Sequence, residues 1–170
     1  MKNTFAVLNQ MVKDAAIENY AVAGAVGAIF YVEPFSTQDI DVLVTIPDPD
    51  GKVIAELPGW KYLNAHGYTE IRGEGIVVED WPVQFLPVSN PLEHEAYLNA
   101  QDLDLDGTTV RVVQAEHLVA MMLRVGRLKD LARIEMFLSQ DAINSEVLED
   151  ILQRHSLDGK WNEFRNRFLS

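Results

Sequence analysis

The chain has 170 residues, a mass of 19.1 kDa and a net charge of −12, which suits one domain or one domain with an appendage. An apolar fraction of 48% and a charged fraction of 24% exclude a disordered or fibrous chain, and the absence of cysteine excludes disulfide scaffolds and thiolate-held zinc or iron–sulfur sites. No apolar run reaches the roughly 18 residues of a membrane helix, and no signal-like apolar stretch follows Met1, so a soluble, cytoplasmic protein without a membrane partner is expected.

The charge is unevenly placed. Residues 1–110 hold five basic and seventeen acidic side chains, whereas residues 111–170 hold nine of each. That balance argues against duplex DNA as a partner, because phosphate neutralisation needs clustered Lys and Arg. An acidic face can still meet a polyphosphate through a bridging Mg²⁺.

Taken in chain order, Phe5, Leu8, Met11, Val12, Ala15 and Ala16 recur at helical spacing and predict a helix over 4–18, capped by Asn3 or Thr4. A short buried strand follows at 20–23, and Gly24 punctuates it before a second helix over 25–31. Residues 39–46 read as a strand of β-branched and apolar residues, ended by the Pro- and Gly-rich run 47–51. Residues 52–66 are helix-like with a break at Pro58-Gly59. A hairpin through 72–74 joins strands at 68–71 and 75–78, and 83–88 is a further strand with Pro82 at its start. Residues 91–100 form a helix with Pro91 at its first position. Beyond Gln114 the pattern is helical only: a long helix over 115–138 kinked at Gly126, then helices over 145–155 and 160–169. The expected organisation is an α/β part over 1–113 and a helical subdomain over 114–170.

The run Asp102-Leu103-Asp104-Leu105-Asp106-Gly107 imitates the start of a calcium-binding loop. Its twelfth position would be Val113 rather than Glu, so a hairpin turning at Asp106-Gly107 is expected instead. The four histidines, His66, His94, His117 and His155, are scattered and form no zinc-binding pair. His117 reads as a structural residue at a helix start.

The pattern richest in chemistry is Asp39-Ile40-Asp41. On a strand, residues i and i+2 share a face about 6.5 Å apart. Two carboxylates so placed raise each other's pKa, a penalty that a divalent cation removes. An Asp pair at a strand start, beside a glycine turn, matches the needs of a Mg²⁺-nucleotide site. A second charged group, Arg124, Arg127, Lys129, Asp130 and Arg133, is either a solvated helix face with an ordinary Arg127–Asp130 surface pair or a phosphate-facing surface.

A strand, a small-residue turn, a short helix and an Asp-x-Asp strand resemble the nucleotidyltransferase superfamily of DNA polymerase β type, in its minimal form. The segment Thr37-Gln38-Asp39-Ile40-Asp41 is similar to the branch containing the nucleotidyltransferase toxins of abortive-infection toxin–antitoxin pairs. Pro82-Val83-Gln84-Phe85-Leu86-Pro87 looks like that branch's next core strand. Ala115-Glu116-His117-Leu118, with Arg127-Leu128-Lys129-Asp130, looks like its first C-terminal helix and a turn within it. The resemblance covers residues 20–135. It implies an α/β (α+β) fold, a mixed sheet flanked by helices with a C-terminal helical cap. It further implies Mg²⁺ or Mn²⁺ on Asp39 and Asp41, which are also the catalytic pair. Nucleoside triphosphate phosphates would be held by Gly24, Ala25, Thr37, Arg127 and Lys129, and a protein or RNA hydroxyl would be the acceptor.

Four positions depart from the active pattern of that superfamily. The turn is Gly24-Ala25 rather than Gly-Gly or Gly-Ser, Phe35 and Met122 replace bases, and Gln84 occupies the slot of the third carboxylate. Asp80 shares Gln84's strand face but lies about 13 Å away by strand rise; Glu33 or Glu79 fills the slot only if the fold carries it there. Two readings stay open: a Mg²⁺-dependent nucleotidyltransferase, favoured by the Asp pair and the Arg-x-Lys-Asp run, and a catalytically degenerate protein that binds a nucleotide or a protein partner, favoured by the missing acid.

Overall fold

A computed structural model describes residues 1–45 and 58–168; the expected turn at 47–51 and the first half of the helix-like stretch 52–66 lie outside the described residues. Seven strands, β1 (Ala21–Val22), β2 (Ile40–Val44), β3 (Ile71–Arg72), β4 (Gly75–Val78), β5 (Trp81–Pro87), β6 (Gln101–Leu105) and β7 (Thr108–Val112), form one mixed sheet in the order β3-β4-β5-β2-β1-β7-β6. β2 runs parallel to β5 and antiparallel to β1, and β1 runs parallel to β7.

Side chains alternate across this sheet as strand geometry requires. Ile40, Val42 and Val44 of β2, with Val83 and Phe85 of β5, enter one core with Phe5, Leu8 and Met11 of α1 (Lys2–Lys13) and Leu63 of α3 (Pro58–Ala65). The opposite face carries Asp41, Leu43, Gln84 and Leu86. There Leu43 joins a core with α4 (Pro91–Leu98), α5 (Ala115–Val125), α6 (Leu128–Ser139), α7 (Ser145–Arg154) and α8 (Asp158–Phe168). The short α2 (Gly24–Ile29) connects the end of β1 to that face and contributes to both cores.

Three expectations change on contact with the fold. α1 ends at Lys13 rather than residue 18, because Ala15 takes a left-handed conformation (φ 54°) and the chain turns back, Ala16 N–H donating to the Met11 carbonyl at 2.9 Å. Neither Asn3 nor Thr4 caps it: Met1 holds that position, and the buried Thr4 hydroxyl donates to the Val78 carbonyl at 3.1 Å. The single helix over 115–138 is two. Gly126 is left-handed (φ 74°) and closes α5 by donating to the Met122 carbonyl at 2.8 Å; Arg127 then caps α6. A glycine in this conformation ends a helix rather than kinking it.

The hairpins form as expected. Arg72 pairs with Gly75 across the β3–β4 turn, and β6 and β7 join through Asp106 (φ 50°) and Gly107 (φ 81°), where Asp104 accepts the Gly107 N–H at 3.1 Å. These two left-handed residues belong to a tight hairpin turn, so the calcium-loop likeness is superficial.

One carboxylate ties three of the helices. Glu95 of α4 accepts from His117 of α5 at 3.0 Å and from Arg154 and His155, at the end of α7, at 2.5 and 2.7 Å. His117 is 4% exposed, which fits its structural reading. The Arg154 hydrogen bond, with the two histidines, lowers the Glu95 carboxyl from its usual 4.5 to about 2. A depressed acid stabilises the fold above its unfolded pKa and loses that contribution as pH falls through the folded one. The melting temperature of the wild type should therefore fall more steeply between pH 4.5 and pH 2 than that of Glu95→Gln; equal slopes in a thermal-denaturation series would contradict this role.

Candidate active site

The site begins at the edge where β1 turns into α2. Ala23 N–H donates to the Asp41 carbonyl at 2.8 Å, holding the two strands together at that level. Gly24 follows in a left-handed conformation (φ 57°), and a Cβ added to it would lie 2.2 Å from Asp41 Oδ2. Only glycine leaves room for the aspartate side chain and accepts this backbone shape without strain. The first N–H groups of a helix have no intrahelical acceptor, so the start of α2 presents backbone donors beside an acidic side chain.

Asp41 is partly enclosed. Burial pushes its carboxyl pKa up, and neighbouring Asp39 pushes it further; Arg127, Lys129 and Arg133 oppose the rise. The two acids and three bases therefore share one electrostatic environment, although they come from opposite ends of the sequence.

All eight residues singled out from the sequence line one polar cleft of about 430 Å³. Gly24 and Ala25 form its α2 wall. Thr37, Asp39 and Asp41 come from the approach to β2 and from β2 itself, Gln84 from β5, and Arg127 and Lys129 from the start of α6. The parallel register sets Asp41 directly beside Gln84. Thr37 turns its hydroxyl to the Asp39 carbonyl at 3.3 Å. Lys129 is exposed and makes no ion pair among the described residues.

Four cleft residues were not assigned to the site by sequence, Ser36, Gln38, Glu74 and Arg133, and the last two carry charge. Arg133 lies one helical turn beyond Lys129, so its spacing gave a hint. Its guanidinium sits 5.1 Å from the centre of the Phe35 ring, a cation–π contact. Phe35 thus steadies a base at the cleft. Glu74 gave no hint, since it lies in the β3–β4 turn and reaches the cleft only through sheet order; its Oε2 accepts from Gln84 Nε2 at 2.7 Å. None of the acids considered for the third slot lines the cleft. Glu79 accepts from the Tyr68 hydroxyl at 2.6 Å, and Asp80 lies in the β4–β5 turn. Arg124 also points away, to Asn90 Oδ1 at 2.6 Å.

The Arg127–Asp130 pair is not an ordinary surface pair. Asp130 is 1% exposed and accepts from Arg127 Nε at 2.7 Å, from a second Arg127 nitrogen at 3.2 Å, and from Arg133 at 3.4 Å. The buried acid holds two guanidinium groups at the cleft, and its hydrogen bond raises the Arg127 pKa. Beyond Asp41 and Arg127 the cleft opens into an apolar alcove of about 150 Å³, lined by Leu43, Leu86, Leu118, Met121, Met122 and Val125.

No three histidine or acidic side chains are gathered closely enough to enclose a metal among the described residues. Asp39 and Asp41 nevertheless fit Mg²⁺, which is commonly held by one or two carboxylates plus substrate phosphates and keeps several waters.

Two outcomes follow from this geometry. Asp41→Asn should raise the melting temperature at neutral pH without divalent cation, since it removes a carboxylate whose charge is disfavoured by burial and by Asp39. A lowered melting temperature would show that Asp41 has a stabilising partner instead. Gly24→Ala should destabilise by about 1–3 kcal/mol from the left-handed backbone alone, read as a lower midpoint in urea denaturation.

No family model and no curated protein matches the chain in sequence. Among solved structures, the fold is similar to that of ANT(2")-Ia, solved in complex with adenylyl-2"-tobramycin. The TM-score is 0.55 and the identity 12%, over 95% of this chain and 99% of that one. It is also similar to an antigenic nucleotidyltransferase-like protein from Paracoccidioides brasiliensis, with a TM-score of 0.52 and 13% identity over 93% and 91% of the two chains. The chain therefore has a nucleotidyltransferase fold, with a mixed sheet flanked by helices and a helical C-terminal region.

Proposed function

We propose that the protein is a Mg²⁺- or Mn²⁺-dependent nucleotidyltransferase that moves a nucleotidyl group from a nucleoside triphosphate to a protein or RNA hydroxyl. One observation carries this reading: the paired acids Asp39 and Asp41, the Gly24 turn and the bases Arg127, Lys129 and Arg133 line a single cleft. Residues 1–113 form the nucleotidyltransferase-like part in this reading, and 114–170 a helical subdomain that lends the cleft its bases. The protein acts in the cytoplasm, and neither duplex DNA nor a membrane is its partner; no described helix is long and apolar enough to cross a membrane.

In the reaction, an acceptor hydroxyl oxygen bonds to the α-phosphorus as the bond from that phosphorus to the β-phosphate bridging oxygen breaks. Pyrophosphate leaves and the hydroxyl proton passes to solvent. A divalent cation, when bound, polarises the phosphoryl oxygens and neutralises charge on the leaving group. Asp39 and Asp41 hold that cation. The backbone N–H groups of Gly24 and Ala25 and the Thr37 hydroxyl contact the phosphates. Arg127, whose Nε and one terminal nitrogen are held by Asp130, presents its remaining N–H groups to phosphate oxygens, and Lys129 adds a mobile point charge. The alcove beside Met122 takes the flat apolar face of a nucleobase. The likeness of residues 37–41 to the nucleotidyltransferase toxins of toxin–antitoxin pairs supports a macromolecular acceptor.

Gln84 favours a second reading, in which the chain binds a nucleotide or a protein partner without transferring anything. Gln offers one neutral oxygen and an NH₂ that cannot ligate a cation. The readings separate in one assay. The protein is incubated with α-labelled nucleoside triphosphates, Mn²⁺ or Mg²⁺ and host lysate, and label on protein or RNA is followed. Transfer by wild type, reduced at least a hundredfold in Asp41→Asn, is the expected result. Nucleotide binding without transfer would favour the second reading, and no nucleotide binding would remove the transferase reading and leave only the protein-binding form of the second.

A further inference from the structure

Resting on the transferase reading, we infer that Glu74 supplies the third acidic charge of the cation site, from a turn two strands away from the Asp pair, with Gln84 as its holder. Gln84 is the β2-facing neighbour of Asp41 in the sheet register. Its amide donates to Glu74 Oε2 at 2.7 Å, so a carboxylate oxygen lies one hydrogen bond from the slot that Gln84 itself leaves neutral. Both residues line the cleft with Asp39 and Asp41.

The hairpin is built to bring that turn close. A Cβ on Gly75 would lie 3.0–3.1 Å from the Val83 backbone atoms N, C and O. The absence of a side chain there lets β4 lie tightly on β5 and sets the preceding residue, Glu74, over Gln84. Arg72, paired with Gly75 in the register, spends its charge on Glu70 at 2.7 Å. Gln84 is thus the one polar contact of Glu74 among the described residues, and the Glu74 charge stays available to the cleft. The third charge arrives by side-chain reach from the neighbouring strand pair, not from β5.

Glu74 acts on the cation through water. Mg²⁺ keeps several waters of its own, and an acid that accepts hydrogen bonds from those waters contributes to affinity without direct ligation. Glu74 is in this sense a positioning residue, and Gln84 orients it.

The test measures Mn²⁺ binding by electron paramagnetic resonance, with Mn²⁺ alone and with α,β-methylene ATP, so that no turnover is needed. Glu74→Gln should weaken Mn²⁺ binding about tenfold, the low end of what outer-shell partners contribute. It should leave the metal-free melting temperature unchanged, because Glu74 is exposed. The exchanged pair Glu74→Gln with Gln84→Glu returns the charge to the slot and should restore affinity to within about twofold of wild type. Wild-type affinity in Glu74→Gln, with binding lost in Asp41→Asn, would overturn the role of Glu74 and leave the transferase reading standing. A loss that the exchange fails to restore would trace the effect to a damaged hairpin and would also overturn it. A wild type that binds no Mn²⁺ under either condition would overturn this inference and the transferase reading together.

Discussion

The burial of Asp41 beside a second aspartate, Asp39, organises this molecule's functional end. Asp41 is placed where burial and the neighbouring Asp39 charge both disfavour its ionisation. A fold selected for stability alone would leave such a carboxylate in open water. Here Asp41 is instead pressed against the backbone of Gly24, at a position that no other residue can occupy. The strain is electrostatic rather than steric, and a divalent cation is the simplest means of relieving it.

The rest of the site answers that charge. Three bases from one short stretch, Arg127, Lys129 and Arg133, line the cleft with the acids, and that stretch opens a separate helix, α6, after α5 stops at Gly126. An unbroken helix would have carried this stretch onward along α5. Asp130, buried at the first turn of α6, then fixes both guanidinium groups. The helical region contributes cations to a site whose acids come from β2 and its approach.

Much of this was legible in the sequence, for identifiable reasons. The hairpins followed from Asp106-Gly107 and Arg72-Gly73-Glu74, because turn residues are chosen by local backbone geometry. The Asp pair and the Gly24 turn were legible because period 2 and glycine punctuation are local as well. What stayed hidden depended on distant residues. The helix break at Gly126 is a left-handed cap, which sequence does not distinguish from a tolerated internal glycine. Thr4 resembles a cap but spends its hydroxyl on Val78, a residue far along the chain. Glu74 and Arg133 enter the cleft through sheet order and through stacking on Phe35. The position of Gln84, read alone, implied a lost charge; its neighbour across the sheet carries an acid.

The central claim is that the Asp39–Asp41 cleft is where a cation and a triphosphate meet. A crystal structure with Mn²⁺ and α,β-methylene ATP, with anomalous scattering recorded at the manganese edge, tests it most directly. The account predicts a manganese peak bound to Asp39 and Asp41, with phosphate oxygens against the Gly24–Ala25 backbone and the Arg127 guanidinium. Manganese and nucleotide bound away from these residues, with the cleft still open, would contradict it.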